Sequence, residues 1–294
     1  MESHLSRYRK LGADFNPEKI VIKPAFRINT LRIPPKDLLN RLNKQGVKLK
    51  KISWLEFGYF YESNFSLGAT PEYLLGYYYL QAAPSQLAAE ILDPQPNEMV
   101  LDMAAAPGGK TTHLAQLMNN KGVIIALDIE TKRLQSLRNN LERLAISNTI
   151  LYKKDARFIT DFKKEFDKIL LDAPCSGNFT LEEDWFKKRN LLDLPQMAKR
   201  QKELLNAAWK VLKKGGTLLY STCSLEPEEN ELQLDTFLEK HSDAEILPIK
   251  QEAGSPAYTT IFEKELDPSI SNAKRFWPHL HNVNGFFLAL IKKK

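Results

Sequence analysis

From Met99 onward the chain alternates short apolar runs with helix-length amphipathic stretches, and no other feature of the sequence narrows its fold as much. Five runs read as strands that each end in a polar turn: "MVLDM", "GVIIALD", "TILYKKDA", "KILLDAP" and "TLLYSTCS". Between the second and third, Leu134, Leu137, Leu141 and Leu144 recur at helical spacing. Another helix is predicted from Met197 to Lys213, closed by Gly215 and Gly216. Strands separated by helices need right-handed crossovers and therefore a parallel sheet, so the predicted class is a doubly wound α/β fold. Such sheets bind ligands at the carboxyl ends of their strands. "AEILPI" and "GFFLALIKKK" are expected to complete the sheet, the last strand antiparallel.

Residues 25 to 62 follow another pattern. "AFRINTL" is strand-like, "PKDLLNRLNKQG" reads as a helix closed by Gly46, and "VKLKKISWL" and "FGYFYES" are strand-like again. These make a small α+β module. "GATPEYLLGYYYL" reads as a connector, and "PSQLAAEIL" as the helix that opens the larger unit. The expected division is 1–80 for the module with its connector and 81–294 for the rest.

The net charge of +6 favours a polyanionic partner, and Arg41, Lys44, Lys48, Lys50 and Lys51 cluster in a stretch without an acid. The bland alternative is a solvated basic face. No apolar run approaches the roughly 20 residues that span a bilayer, and "MESHLSRYRK" lacks the apolar core of a signal peptide. A cytosolic protein is expected, with Cys175 and Cys223 reduced.

"VLDMAAAPGGKTTHLAQL" is a strand, a small-residue loop and a helix, an arrangement that brings backbone N–H groups close to a ligand. Two ligands compete for it. Gly109, Lys110 and Thr111 fit the end of a phosphate-binding loop, with "KILLDAP" as a magnesium-binding strand, but Ala104 occupies the first glycine position. Against a triphosphate stand four acids, Asp102, Asp128, Asp155 and Asp172, in or just after successive strands. A carboxylate after the second strand suits ribose hydroxyls, which need acceptors. An adenosyl ligand with a sulfonium and an amino group, and no phosphate, fits this rim. The structural alternative is that each acid only terminates a strand or caps a helix.

Cys175 in "LDAPCSG" and Cys223 in "YSTCSLEPEEN" both follow apolar runs. In a doubly wound sheet their strands are expected to be neighbours, about 4.8 Å apart, with both thiols on one rim. Cys223 also precedes "EPEENELQLDTFLEKH", read as one helix with Pro227 in its first turn, and a helix N-terminus raises a nearby thiol's thiolate fraction. The placement suits a nucleophile. The alternative is a pair of inert core cysteines.

With "FRINTLR", "LDMAAAPGGKTT", "LDAPCSG", "LLYSTCSLEPEENE" and "RFWPHLHNVNGFFLA" in this order, the chain resembles the RNA cytosine-5 methyltransferases of the RsmB/Nop/Sun type, particularly the short archaeal tRNA enzymes. The resemblance runs from Phe26 to the C-terminus. It implies a Rossmann-like methyltransferase fold with a mainly parallel seven-stranded sheet, S-adenosylmethionine as methyl donor, no metal, and RNA, most directly tRNA, as partner. It places Ala104, Ala105, Ala106, Pro107, Gly108, Gly109 and Lys110 around the methionine portion, Asp128 and Arg133 at the ribose, Asp155 near the adenine, and Asp172 beside the site. It makes Cys223 the nucleophile and Cys175 the residue that assists release, whereas DNA cytosine methyltransferases attack with the cysteine of a Pro-Cys pair. It also implies that the small module grips RNA and that no further RNA-binding domain is appended. Two positions depart from the pattern. Ala104 stands where many relatives carry cysteine, and Phe179 where many carry a second glycine.

The chemistry asks for such a pair, because carbon 5 of cytosine is too weak a nucleophile to attack a methyl sulfonium directly. A Cys223 thiolate added at carbon 6 turns the base into an enamine-like nucleophile, and Asp172, protonated or sharing a proton, is expected to hold the ring nitrogen and exocyclic amine. The base must be flipped out or unpaired. A P-loop NTPase and a noncatalytic RNA-binding protein are the competing expectations.

Overall fold

The computed structural model describes residues 3–294. Helix α1 (His4–Lys10) precedes strand β1 (Ala25–Ile28), helix α2 (Pro35–Lys44), strands β2 (Lys48–Lys51) and β3 (Gly58–Glu62), a short helix α3 (Pro71–Leu74) and strand β4 (Tyr78–Leu80). The four strands form an antiparallel sheet of order β2-β3-β1-β4. Helix α2 turns Leu38 and Leu42 into a cluster with Phe26, Ile28 and Tyr78. The stretch expected as a connector thus contributes a strand. Its partner is Phe26, paired with Leu80 some fifty residues away, and such a distant pairing leaves no local signal.

The larger unit begins with α4 (Ala83–Leu92) and alternates β5 (Met99–Asp102), α5 (Gly109–Leu117), β6 (Val123–Asp128), α6 (Thr131–Arg143), β7 (Thr149–Lys153) and β8 (Phe166–Asp172). Then come the short α7 (Trp185–Lys188), the long α8 (Leu194–Val211), β9 (Leu212–Thr222), α9 (Glu231–Lys240) and β10 (Ala244–Leu247). Short strands β11 (Ser255–Pro256), β12 (Thr260–Ile261), β13 (Lys264–Glu265) and β14 (Lys274–Phe276), helix α10 (Pro278–His281) and strand β15 (Phe286–Lys293) end the chain. The sheet has nine strands, and β7-β6-β5-β8-β9 run parallel at its centre. Strand β15 lies antiparallel to β9, with β10 and β14 along its outer edge and β11 beyond β14. Seven strands make the expected methyltransferase sheet; β14 and β11 extend it.

Alternation along the strands divides the core. Leu101, Leu127, Ile169, Leu171, Leu218 and Tyr220 face a cluster that includes Leu204, Leu205 and Ala208 of α8, while Val100, Ile124, Leu170 and Leu219 face Leu87, Leu114 and Ala115 of α4 and α5. Helix α8 starts before Met197 and stops at Val211, and the residues expected to close it lie within β9, which is 11 residues long. The apolar contacts of Leu212, fully buried, carry the chain directly from helix into strand.

The segment after Cys223 is not a single helix. A one-turn 3-10 helix spans Pro227–Glu229, Asn230 breaks the path at φ −124°, ψ −99°, and α9 starts at Glu231. Cys223 therefore does not sit at the N-terminus of an α-helix, and the expected activation of its thiol by a helix dipole has no structural basis. Helix α1, though first in the chain, packs on the larger unit: Tyr8 meets Trp277 with ring centroids 5.4 Å apart. Among the described residues no helix is long and apolar enough to cross a membrane.

Candidate active site

The carboxyl edge of the parallel strands gathers the expected residues in the order Thr222, Asp172, Asp102, Asp128 and, just past β7, Asp155. After β5 the chain turns through Ala104–Pro107 into α5. Gly108 adopts φ +107°, a backbone conformation that favours glycine, and a Cβ there would come 2.6 Å from Leu137 Cδ1 of α6. Helix α6 also holds the loop's carbonyls: Arg133 donates to Ala106 O over 2.8 Å and Asn140 to Pro107 O over 2.9 Å.

A cavity of about 190 Å³ opens on this loop. Ala104, Ala105, Ala106, Pro107, Gly109, Lys110, Asp102 and Asp172 line one side, and Tyr79, Leu80, Gln81 and Ser85 close the other. The small N-terminal sheet thus supplies part of the wall. Its attachment is polar and buried: Arg27 donates to Gln116 Oε1 over 2.7 Å and to Thr112 Oγ1 over 2.9 Å, both on α5. Burial lowers the Arg27 guanidinium to about 9.

Each acid has a distinct setting. Asp102, almost fully buried, accepts from Thr111 Oγ1 over 2.7 Å, and burial pushes its carboxyl up to about 7. Asp172 accepts from Lys110 Nζ over 2.6 Å and from Ser221 Oγ over 2.7 Å. The partner that the fold gives Asp172 is thus Lys110, from the small-residue loop. Asp128 accepts from Glu130 N over 3.0 Å and Ala106 N over 3.3 Å, with Arg133 Nη2 3.5 Å away. Asp155 caps the turn that follows β7 and is held below the usual carboxylate range by its hydrogen bonds from Arg157, which also reaches Glu203 over 2.9 Å. Acids and backbone N–H groups beside a glycine turn form a set that suits a cationic nucleoside ligand such as S-adenosylmethionine, which brings hydroxyl and ammonium donors to carboxylate acceptors.

The two thiols meet. Cys175 Sγ and Cys223 Sγ are 2.8 Å apart, and Cys223 N donates to Cys175 Sγ over 3.3 Å. The hydrogen bond to Cys223, and then burial, push the Cys175 thiol well above its ordinary value. Asn178 ties Cys223 O at 2.7 Å to Gly285 O at 3.0 Å. Cys175 and Ser176 open into a cleft of about 710 Å³ walled by the first turns of α8, with Arg157, Arg189, Lys199 and Arg200 on its sides. Phe179 fits because its ring stacks on Phe15 and Phe186, centroids 5.5 and 5.4 Å away.

Sequence reading missed the buried acids of this corner. Glu226 accepts from Tyr8 OH over 2.8 Å and from Arg7 Nε over 3.2 Å, and meets His4 Nδ1 at 2.6 Å, so α1 is bound to the loop that follows Cys223. Glu229 receives Ser176, Ser224 and Gln201. The one signal was the density of acids in "EPEENE", which resembles a solvated helix face.

Residues 89–292 match the family model described as 16S rRNA methyltransferase RsmB/F. The chain belongs to this family. Residues 14–83 match the N-terminal domain of 16S rRNA methyltransferase RsmF. A 28S rRNA (cytosine(4447)-C(5))-methyltransferase of Homo sapiens is 42% identical over 276 residues, covering 91% of this chain and 34% of the human protein. A tRNA (cytosine(72)-C(5))-methyltransferase of Pyrococcus horikoshii is 40% identical over 228 residues, 78% of this chain and 55% of that one. The chain thus spans about a third to a half of the length of these curated relatives. The crystal structure of a methyltransferase homolog protein from Pyrococcus horikoshii superposes with a TM-score of 0.87 at 46% identity, covering 95% of this chain and 88% of that chain.

Proposed function

We propose that this chain is an RNA cytosine-5 methyltransferase that uses S-adenosylmethionine and attacks its target with Cys223. The observation that carries the reading is the contact of two thiols from adjacent strand ends, 2.8 Å apart, in a chain whose human and Pyrococcus relatives are named as cytosine-C(5) methyltransferases of RNA. The cofactor, when bound, supplies an electrophilic methyl group. Ala104–Lys110 would hold its methionine portion, Asp128 and Arg133 its ribose, and Asp155 its adenine.

Every other step falls to side chains of this protein. Cys223 adds to carbon 6 of a flipped cytosine and makes carbon 5 nucleophilic. Asp172 accepts a hydrogen bond from the exocyclic amine while Lys110 Nζ, 2.6 Å from it, donates one to the ring nitrogen where charge builds. After methylation a solvent base takes the carbon 5 proton, the electron pair released re-forms the ring's double bond, and Cys223 departs as the thiolate, with the Cys175 thiol, 2.8 Å away, assisting by a hydrogen bond to the departing sulfur. The NTPase alternative is disfavoured, because Asp102 and Asp172 line the cavity and Asp172 engages the loop lysine that would meet a triphosphate.

For the RNA we propose tRNA, following the resemblance to the short archaeal enzymes and the Pyrococcus relative. The second reading is large-subunit rRNA, favoured by the greater share of this chain that the human relative matches. Bisulfite sequencing of tRNA and rRNA after incubation with the protein and S-adenosylmethionine tests both. A new protected cytosine in tRNA supports the first reading and one only in rRNA supports the second; none in either overturns the activity.

A further inference from the structure

We propose that Glu229 is the positioning residue that holds the two thiols in contact, a role that rests on the methyltransferase reading above. The serines that directly follow the cysteines, Ser176 and Ser224, both donate their hydroxyls to Glu229 Oε1, and their own oxygens are 3.1 Å apart. The other oxygen, Oε2, accepts from Ser176 N over 3.0 Å and from Gln201 Nε2 over 2.7 Å. Gln201, on α8, also donates to Pro174 O over 2.9 Å. Ser176 and Ser224, the residues after the two thiols, therefore meet on a single carboxylate, and Pro174, before Cys175, is tied to it through Gln201.

Glu229 is fully buried, and a buried carboxylate is costly unless its acceptors are filled. Here four donors fill them, and three of the four come from residues adjoining the thiols. The 3-10 turn at Pro227–Glu229 is what aims the side chain inward, and Tyr220 OH fixes that turn by donating to Glu229 O over 2.6 Å. Burial raises the Glu229 carboxyl and the hydrogen bonds from Ser176, Ser224 and Gln201 oppose that rise; in its ionised form it adds a negative group beside Cys175 to the other influences that keep that thiol protonated. Cys175 retains its proton and Cys223 is left to act as the nucleophile.

The test uses Glu229→Gln, which preserves size and removes charge, and Glu229→Asp, which preserves charge and shortens the reach. Turnover of RNA is measured together with KM for RNA and S-adenosylmethionine, thermal melting, and the pH dependence of iodoacetamide labelling at Cys175 and Cys223, resolved by peptide mass spectrometry. Glu229→Gln should lose about tenfold to a hundredfold in kcat with both KM values unchanged, as for a small displacement of reacting groups. Its Cys175 should label at lower pH than in the wild type, whereas Glu229→Asp should lose kcat and keep the wild-type labelling profile. A folded Glu229→Gln with wild-type turnover and labelling overturns the proposal. So does a variant that loses turnover only in step with its melting temperature, with labelling unchanged. Should Glu229→Gln fail to fold, the double variant Ser176→Ala, Ser224→Ala removes two links and leaves the carboxylate with Gln201 and the Ser176 amide; wild-type turnover there also overturns it. Labelling needs no methylation, so a wild type that modifies no cytosine defeats the activity while the Cys175 profile still decides the part played by Glu229.

Discussion

Cys175 Sγ and Cys223 Sγ lie 2.8 Å apart, nearer than the roughly 4.8 Å between the neighbouring strands that deliver them. If Cys223 forms the bond to carbon 6, Cys223→Ala abolishes methylation and leaves no covalent RNA adduct. Cys175→Ala should attack and methylate once, then stay attached to its RNA through denaturing electrophoresis. The adduct must vanish in the double variant. An adduct in Cys223→Ala would assign the attack to Cys175 instead, and two variants that keep turning over would make both thiols inert.

Removing the Asp128 carboxylate should weaken S-adenosylmethionine binding by about 1.5–3 kcal/mol, the range for hydrogen bonds to charged groups. Because Asp128 also accepts from Ala106 N and Glu130 N, Asp128→Ala loosens the cofactor loop as well. Calorimetry on the folded variant decides the matter, and an unchanged affinity would take the ribose away from Asp128.

The basic strand β2 divides into two kinds of lysine. Lys48, Lys50 and Lys51 are all exposed, but Lys51 Nζ is spent on the backbone carbonyls of Leu55, Glu56 and Gly58 and lies 5.0 Å from the Tyr59 ring centroid. Replacing Lys48 and Lys50 by Ala should reduce RNA affinity and flatten its salt dependence by about 0.7–0.9 per lost phosphate contact. Lys51→Ala should lower the melting temperature and leave the salt slope unchanged. Equal slopes in all variants would make β2 a solvated face.

Asp102 gives the protein a pH dependence of definite sign. Burial raises its carboxyl from 3.8 to about 7 in the fold, so between those values the folded state holds a proton that the unfolded chain releases. The contribution to stability is complete below about pH 4, declines by at most about 1.4 kcal/mol per pH unit as pH rises, and is gone above the folded value. Asp102→Asn, which keeps an acceptor for Thr111, should flatten that decline. Melting curves of wild type and variant across this range check it, and parallel curves would refute the assignment.

Much of the architecture and the candidate site was legible along the chain because period and punctuation are local. Apolar runs ending in Asp102, Asp128 and Asp172 mark strands whose carboxyl ends share a rim, and the small loop 104–110 before α5 marks where a ligand is approached. Tertiary structure decided which groups meet there. Lys110 lies beside Asp172, 62 positions away, and Glu229 reaches Ser176 across 53, contacts that depend on strand order and side-chain direction and leave no trace in spacing. The same reason explains the errors. "EPEENE" has the composition of a solvated helix but turns Glu226 and Glu229 inward, because α1 and the two cysteine loops supply the donors those carboxylates need. The chain alone determines that two thiols come to one edge; only the packed fold sets them in contact, and a buried carboxylate stays there because donors from distant segments surround it.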